Sequence, residues 1–192
     1  MCGRYATFGP VSLSREAKDV LGRLELDIVS EINQREDQFN IAPTQRALVV
    51  AHGEHGYEAK PLRWGLIPTW AKDSKIAAKT INARAETVAA KPAFRNAFKK
   101  RRCLVPASGY FEWRVEEGGK QPYFIHDPAG HLLIFAGLWE AWRASEADEW
   151  VRTFTIVTGE PGRVSGDIHD RQPIILPPEL WDVRTEGSSG DA

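Results

Sequence analysis

From Cys103 onward the chain is written in short runs of β-branched and aromatic residues cut by turn residues. These runs are "CLVPASGYFEWRV", "QPYFIHDPAGHLLIFAGLWEAW" and "WVRTFTIVTG". Segments of this length, rich in Val, Ile, Phe, Tyr and Trp, predict strands. Pro128, Ala129 and Gly130 inside the second run predict the turn of a hairpin. Upstream, "GRYATF" predicts an opening strand, and "ALVVAHGEHGYEAKPLRWGL" predicts two strands joined by a Gly-rich turn. Helical signal is confined to two places. Residues 12–37 read as helical, with "SLSREAKDVLG" near a 3.6 period and closed by Gly22, and "KPAFRNAFKKRR" reads as a short amphipathic helix with a basic face. The expected fold class is α+β: a mostly antiparallel, barrel-like β system with a few short helices.

At 192 residues the chain has room for one well-packed domain. Glycines, prolines and tryptophans are spread rather than clustered, so no linker or repeat is expected. Residues 1–182 are assigned to a single domain and 183–192, which include "TEGSSGDA", to a polar flexible tail. The net charge of −1 gives no global basic field, so a nucleic-acid site would have to rest on a local patch. Two cysteines, Cys2 and Cys103, are too few for a disulfide framework and fit a reducing compartment. The N-terminal stretch is polar and broken by Gly9 and Pro10, unlike a secretory signal, and no run is long enough to cross a membrane. A cytosolic protein is expected, or a nuclear one in a eukaryote.

Several polar residues sit where strands do not explain them. Cys2 directly follows Met1, so removal of Met1 would leave an α-amine and a thiol on one residue. Glu112 lies between Phe111 and Trp113; it either faces solvent or is a half-buried carboxylate suited to general acid or base work. In "TINARAET", alternation puts Asn82, Arg84 and Glu86 on one face of an extended segment. That face is a plain polar surface, or one offering an amide to orient a nucleophile and a guanidinium to hold a phosphate. His169, between charged neighbours in "GDIHDRQPIIL", could move protons near neutral pH. His52, His55, His126 and His131 lie in or beside turns and read as surface residues, so no metal site is expected. Trp64 and Trp70 flank a Pro-containing loop beside basic residues; they are core residues, or stack on exposed bases. "FRNAFKKRRC" reads as a solvated helix face.

Taken in order, "MCGRYA", "FNIAPTQ", "RWGLIPTWAKD", "INARAET", "RRCLVPASGYFEW", "PYFI", "FAGLWE", "FTIVT" and "DIHDRQPIIL" resemble the SRAP family, the SOS-response-associated peptidase or abasic-site processing proteins. The resemblance runs from position 2 to about position 180. It implies a covalent link between the N-terminal cysteine and abasic sites in single-stranded DNA, shielding the lesion. It further implies Cys2, Asn82, Glu112 and His169 as the reactive centre and Arg4, Trp70, Arg84, Thr158 and Arg171 as DNA contacts. Asn40 and Pro43 match the region bordering the lesion. No cofactor and no metal are implied, the expected state is a monomer, and the bound form would be nucleoid-associated.

The chemistry fits the N-terminal residue. An α-amine with a pKa of about 7.7–8.0 is roughly a tenth to a fifth neutral at pH 7, so it can condense with the ring-opened aldehyde to a Schiff base. The thiol of the same residue then closes a thiazolidine. By the resemblance, Asn82 orients the amine, His169 assists proton transfer and ring opening, and Glu112 acts as acid and base, reversal included. The peptidase label corresponds to removal of Met1, autocatalytic or by a general aminopeptidase. Two rivals remain at this stage: an N-terminal-nucleophile amidohydrolase, since class II glutamine amidotransferases also begin Met-Cys-Gly, and a non-catalytic single-strand binding module. The chain departs from the family pattern at "TGEPGRVSG", which brings in Pro161 and Gly162, and in its end "VRTEGSSGDA".

Overall fold

The computed structural model describes residues 2–53 and 56–183. Readings that fell on Met1, His55 and residues 184–192 lie outside the described residues. The strands are β1 (Arg4–Thr7), β2 (Gln38–Ile41), β3 (Arg46–Gly53), β4 (Gly56–Trp64), β5 (Asn82–Arg84), β6 (Arg102–Ala107), β7 (Gly109–Glu116), β8 (Gly119–Ile125), β9 (Leu133–Trp142), β10 (Val151–Gly159) and β11 (Gln172–Pro173). Three short α-helices join them: α1 (Arg15–Arg23), α2 (Ile28–Asn33) and α3 (Arg95–Lys100). The fold is α+β, as its residues predict.

Five strands close into a barrel in the order β10-β4-β3-β6-β9, sealed by a second pairing between β9 and β10. All contacts around it are antiparallel except β4 against β10. Closure leaves this ring without a free edge. A second, four-stranded sheet in the order β2-β1-β7-β8 lies beside it. The principal core fills the barrel and the space under the smaller sheet, with Tyr5, Ile41, Val49, Trp64, Val105, Tyr110, Phe135, Phe154 and Ile156 all buried. Tyr5 meets Trp64 edge-on at 5.3 Å and Tyr110 meets Phe135 likewise at 5.9 Å, the geometry that aromatic quadrupoles favour.

Three local readings are corrected. The turn at Pro128–Gly130 does not make a hairpin: β8 pairs with β7, whereas β9 pairs with β6 and β10. The turn residues bend the chain, but each strand finds its partner in a different sheet. The helical stretch 12–37 breaks in two. Gly22 sits within α1, which ends on Leu24, and Glu25 takes a left-handed φ of 52° before Asp27 caps α2. Glu86 lies beyond β5, in the turns that follow it, rather than on a continued strand. At the other end Val183, the first residue of the expected tail, is buried, and its N–H donates to the Tyr57 hydroxyl at 2.9 Å.

Strand β10 is the spine of the architecture. One of its edges pairs in parallel first with β4, at Thr153 and Phe154, and then with β5, at Ile156, Val157 and Thr158. Between those partners the chain makes an excursion over 65–81 and returns to the same edge. Its two ends are tied together: Leu66 N–H donates to the Thr80 carbonyl at 3.3 Å, the Thr80 hydroxyl donates to the Leu66 carbonyl at 2.6 Å, and the Trp64 indole donates to the Ile81 carbonyl at 2.8 Å. Gly65 opens the excursion with φ +116°, and a β-carbon there would sit 2.7 Å from the Ala77 carbonyl oxygen, so both the backbone angle and the space demand glycine.

Candidate active site at the barrel rim

Cys2 stands just before β1, fully buried in the principal core. Its thiol is held protonated: burial pushes it far above the ordinary thiol range, and the Glu112 carboxylate adds to the rise. Glu112 comes from β7, the antiparallel partner of β1, where Arg4 pairs with Phe111 and Tyr5 with Tyr110. Alternation along β7 therefore turns Tyr110 and Glu112 to the same inner face. Glu112 is 2% exposed, so the solvent-facing alternative is excluded. The Tyr110 phenol is pushed up to about 12 by burial; a hydrogen bond from Ser165 opposes this, and the nearby Glu112 adds to it.

The third strand to reach the rim is β5. Asn82 pairs with Ile156, itself in the core that holds Cys2, and the preceding Ile81 packs on that core. The Asn82 amide donates to the Ile81 carbonyl at 3.0 Å. Its Oδ1 is buried and has no hydrogen-bond partner among the described residues. A buried acceptor left open in this way costs free energy on the order of 1–3 kcal/mol.

The loop between β10 and β11 supplies the fourth side. Ser165, whose hydroxyl contacts Tyr110 and donates to Gln172 Oε1 at 2.5 Å, anchors it. Gly162 N–H donates to the same Gln172 oxygen at 3.1 Å, so the atypical "EPGRVSG" stretch is closed by its own hydrogen bonds. His169 follows one turn later, its N–H donating to the Ser165 carbonyl at 2.9 Å. His169 Nδ1 lies 3.1 Å from the Arg171 N–H and 2.8 Å from Asp170 Oδ1. The first contact needs a bare Nδ1 and the second a protonated one, so the two are alternatives set by which ring nitrogens carry a proton. In the neutral ring that accepts from Arg171, the proton is on Nε2.

Arg171 is held on several sides. Its guanidinium donates to both Glu86 carboxylate oxygens, at 2.8 and 3.0 Å, and to the Thr158 carbonyl at 2.7 Å. The Arg171 hydrogen bonds bring the Glu86 carboxyl down to about 2. Thr158 is buried, and its carbonyl also receives the Ala85 N–H, so this residue lies beneath the surface that Arg84 and Arg171 border. Arg84 is exposed on β5 and Arg4 half-exposed on β1, where its guanidinium donates to the Gly3 carbonyl at 3.1 Å.

Trp70, 55% exposed, stands on the excursion with its indole donating to the Pro92 carbonyl at 3.3 Å; Trp64 is core. Asn40 lies on β2 and Pro43 just after it, on the other flank of β1. Cys2 and Glu112 thus face each other across β1 and β7, Asn82 lies on the strand that pairs with Ile156 of the core holding Cys2, and His169 follows the Ser165 that contacts Tyr110. Tyr110 joins them without having been singled out in the sequence; its position two residues before Glu112 on a strand was the available signal. Among the described residues no three His, Cys, Asp or Glu side chains form a metal-ligand group, and no helix is long and apolar enough to cross a membrane.

A model of the SOS response associated peptidase (SRAP) family matches residues 1–186. The chain belongs to the SRAP family. It is 39% identical over 180 residues to the abasic site processing protein YoqW of Bacillus subtilis, covering 93% of this chain and 77% of that one. It is 38% identical over 177 residues to YoaM of the same organism, also named an abasic site processing protein, covering 92% and 75%. A solved structure from Bacteroides thetaiotaomicron superposes with a TM-score of 0.75 at 29% identity, covering 94% of this SRAP chain and 79% of that one.

Proposed function

We propose that this SRAP protein, once Met1 is removed, captures abasic sites in single-stranded DNA as a covalent thiazolidine on Cys2. The observation that carries the reading is the open, buried Oδ1 of Asn82 at the rim that also holds Cys2. An amine freed at Cys2 is the donor such an acceptor would orient. The amine adds to the C1 aldehyde of the ring-opened deoxyribose and loses water to give the imine. The thiol then adds across the C=N bond: sulfur bonds to carbon, and the thiol proton ends on nitrogen. One water leaves overall, and no oxidant or cofactor is consumed.

A deeply protonated thiol cannot attack unaided, so the closing step needs a base beside it; Glu112 and the His169 ring are the available groups. In reverse the same groups return the proton and open the ring. Arg4 and Arg84 meet the backbone phosphates, Arg171 shares its guanidinium between Glu86 and the DNA, and Thr158 supports it from below. Trp70 stacks on a flanking base, while Asn40 and Pro43 border the lesion. The names of the relatives, abasic site processing proteins, support the substrate class.

The test is a denaturing gel. Incubated with an abasic single-stranded oligonucleotide, the mature protein is expected to give a heat-stable shifted band. Cys2→Ala is expected to lose it, and Asn82→Ala to slow its appearance by about tenfold or more, as for loss of a charged or orienting hydrogen bond. A stable adduct at full yield from Cys2→Ala would overturn the mechanism. Glutaminase activity with no adduct would favour the amidohydrolase.

A further inference from the structure

The β2-β1-β7-β8 sheet turns Tyr5, Tyr110 and Glu112 inward, and the alternate residues face the other way. Arg4 on β1 and Phe111 on β7 are direct partners, and Phe111 is in turn paired with Phe124 on β8. Phe8, just beyond β1, and Phe39 on β2 extend the row. Phe39 and Phe8 are stacked with ring centroids 5.2 Å apart at 30°, and Phe8 and Phe124 are 6.3 Å apart at 32°. Phe124 is 4.8 Å from Phe111 at 44° and 5.5 Å from His126 at 22°. In the core, by contrast, Tyr5 and Tyr110 meet their neighbours at 71° to 84°. The outer rings are therefore stacked or tilted rather than edge-on, and the row ends in Phe39, which is 59% exposed. Phe8, Phe111 and Phe124 are half-buried, so the row is a partly covered aromatic cluster that presents one fully open ring, Phe39, to solvent.

Three observations select the occupant. The row begins at the Arg4–Phe111 pair, on the same two strands that place Cys2 and Glu112, so it is continuous with the candidate site. At its far end Phe39 adjoins Asn40 in a groove of about 450 Å³ that Arg46 also lines, and no carboxylate lines that groove. Arg4 and Arg46 flank the row at its two ends, and the carboxylate beside it, Asp37, is engaged by the Gly9 N–H at 2.9 Å. An open aromatic face beside guanidiniums is what sequence-tolerant stacking of an unpaired base requires.

We propose that the outer face of this sheet is a stacking platform for the single-stranded DNA that flanks the lesion, with Phe39 as its exposed end. The inference rests on the reading that the rim takes abasic single-stranded DNA. It adds a path along which undamaged nucleotides lie, so the protein grips a length of strand rather than the lesion alone.

The experiment compares the unaltered mature chain with Phe39→Leu and Phe39→Tyr. Each is titrated by fluorescence anisotropy with undamaged single strands of about four and about sixteen nucleotides, spanning the usual range of site sizes. Each is also assayed for adduct on a short abasic strand. Phe39→Leu keeps the apolar bulk but removes the ring, and is expected to weaken binding of the long strand by about tenfold, within the range for one lost stacked base. Phe39→Tyr is expected to restore it, and the short abasic strand should give equal adduct with all three. Equal binding of the long strand by Phe39→Leu would overturn the platform while leaving the crosslinking reading intact. DNA-independent self-association that Phe39→Leu abolishes, read by sedimentation, would also overturn it and assign the face to a second copy of the chain. Failure of the unaltered chain to form any adduct would instead sink the crosslinking reading, and is read separately.

Discussion

At the scale of single residues, Arg171 links the elements of the rim. Its side chain ties Glu86 to Thr158, and its backbone N–H engages His169 Nδ1. Glu86 is therefore a positioning residue, acting on the site through Arg171. Its carboxyl, ordinarily near 4.3, is brought down to about 2 mainly by the Arg171 hydrogen bonds. A depressed folded-state value means that the ion pair stabilises the fold fully above the unfolded value and that this is lost as pH falls from about 4.3 toward 2. Glu86→Gln is expected to lower the melting temperature at pH 6, with the gap from the unaltered chain narrowing steadily as the pH is taken down to 3. A gap independent of pH would show that the charge of Glu86 contributes nothing. The sequence placed Asn82, Arg84 and Glu86 together but could not pair Glu86 with Arg171, because that contact spans 85 residues and depends on β5 and β11 both lying on β10.

At the scale of elements, the strands themselves were legible, as was the β3–β4 hairpin, whereas the long-range partners were not. Strand formation follows from local composition, and β7 with its alternating Tyr110, Phe111, Glu112 and Trp113 is a clear example. Pairing is decided by which faces need covering, and this is why a strong turn signal at Pro128–Gly130 separates two sheets instead of joining two neighbours. The burial of Glu112 has the same origin: alternation shows that it differs in face from Phe111, and only the assembled core shows which face is inside. The excursion over 65–81 carries an element-scale prediction. Gly65→Ala adds a β-carbon 2.7 Å from the Ala77 carbonyl oxygen at a backbone angle unfavourable to L-residues. It is expected to cost about 1–3 kcal/mol in chemical denaturation, and to reduce adduct yield by loosening the return that delivers Asn82. An unchanged denaturation midpoint would show that the turn is free to relax.

At the scale of the whole molecule, a chain with a net charge of −1 carries exposed or half-exposed guanidiniums at Arg4 on β1 and Arg84 on β5. Local concentration of charge, not overall sign, then governs encounter with a polyanion. If Arg4 and Arg84 each neutralise one phosphate, the logarithm of the association constant for undamaged single strands should fall with the logarithm of salt concentration with a slope of about −1.4. The covalent adduct, once formed, should persist at any salt concentration. Anisotropy titrations across a salt series, followed by a high-salt wash of preformed adduct, check both halves; a flat series would remove the arginines from the encounter.

The succession of β4 and β5 along one edge of β10 has a consequence for where Trp70 stands. Residues 65–81 leave and rejoin the wall at adjoining positions, their ends fastened by Leu66, Thr80 and the Trp64 indole. The segment is also fastened along its length: the Ile67 N–H donates to the Thr153 hydroxyl at 3.0 Å and the Trp142 indole to the Ala71 carbonyl at 2.8 Å, with Ile67 and Ala77 buried. Trp70 therefore rides on a loop moored to the barrel wall at both ends and in the middle, so its place relative to β10 is fixed by the same strands that carry Asn82.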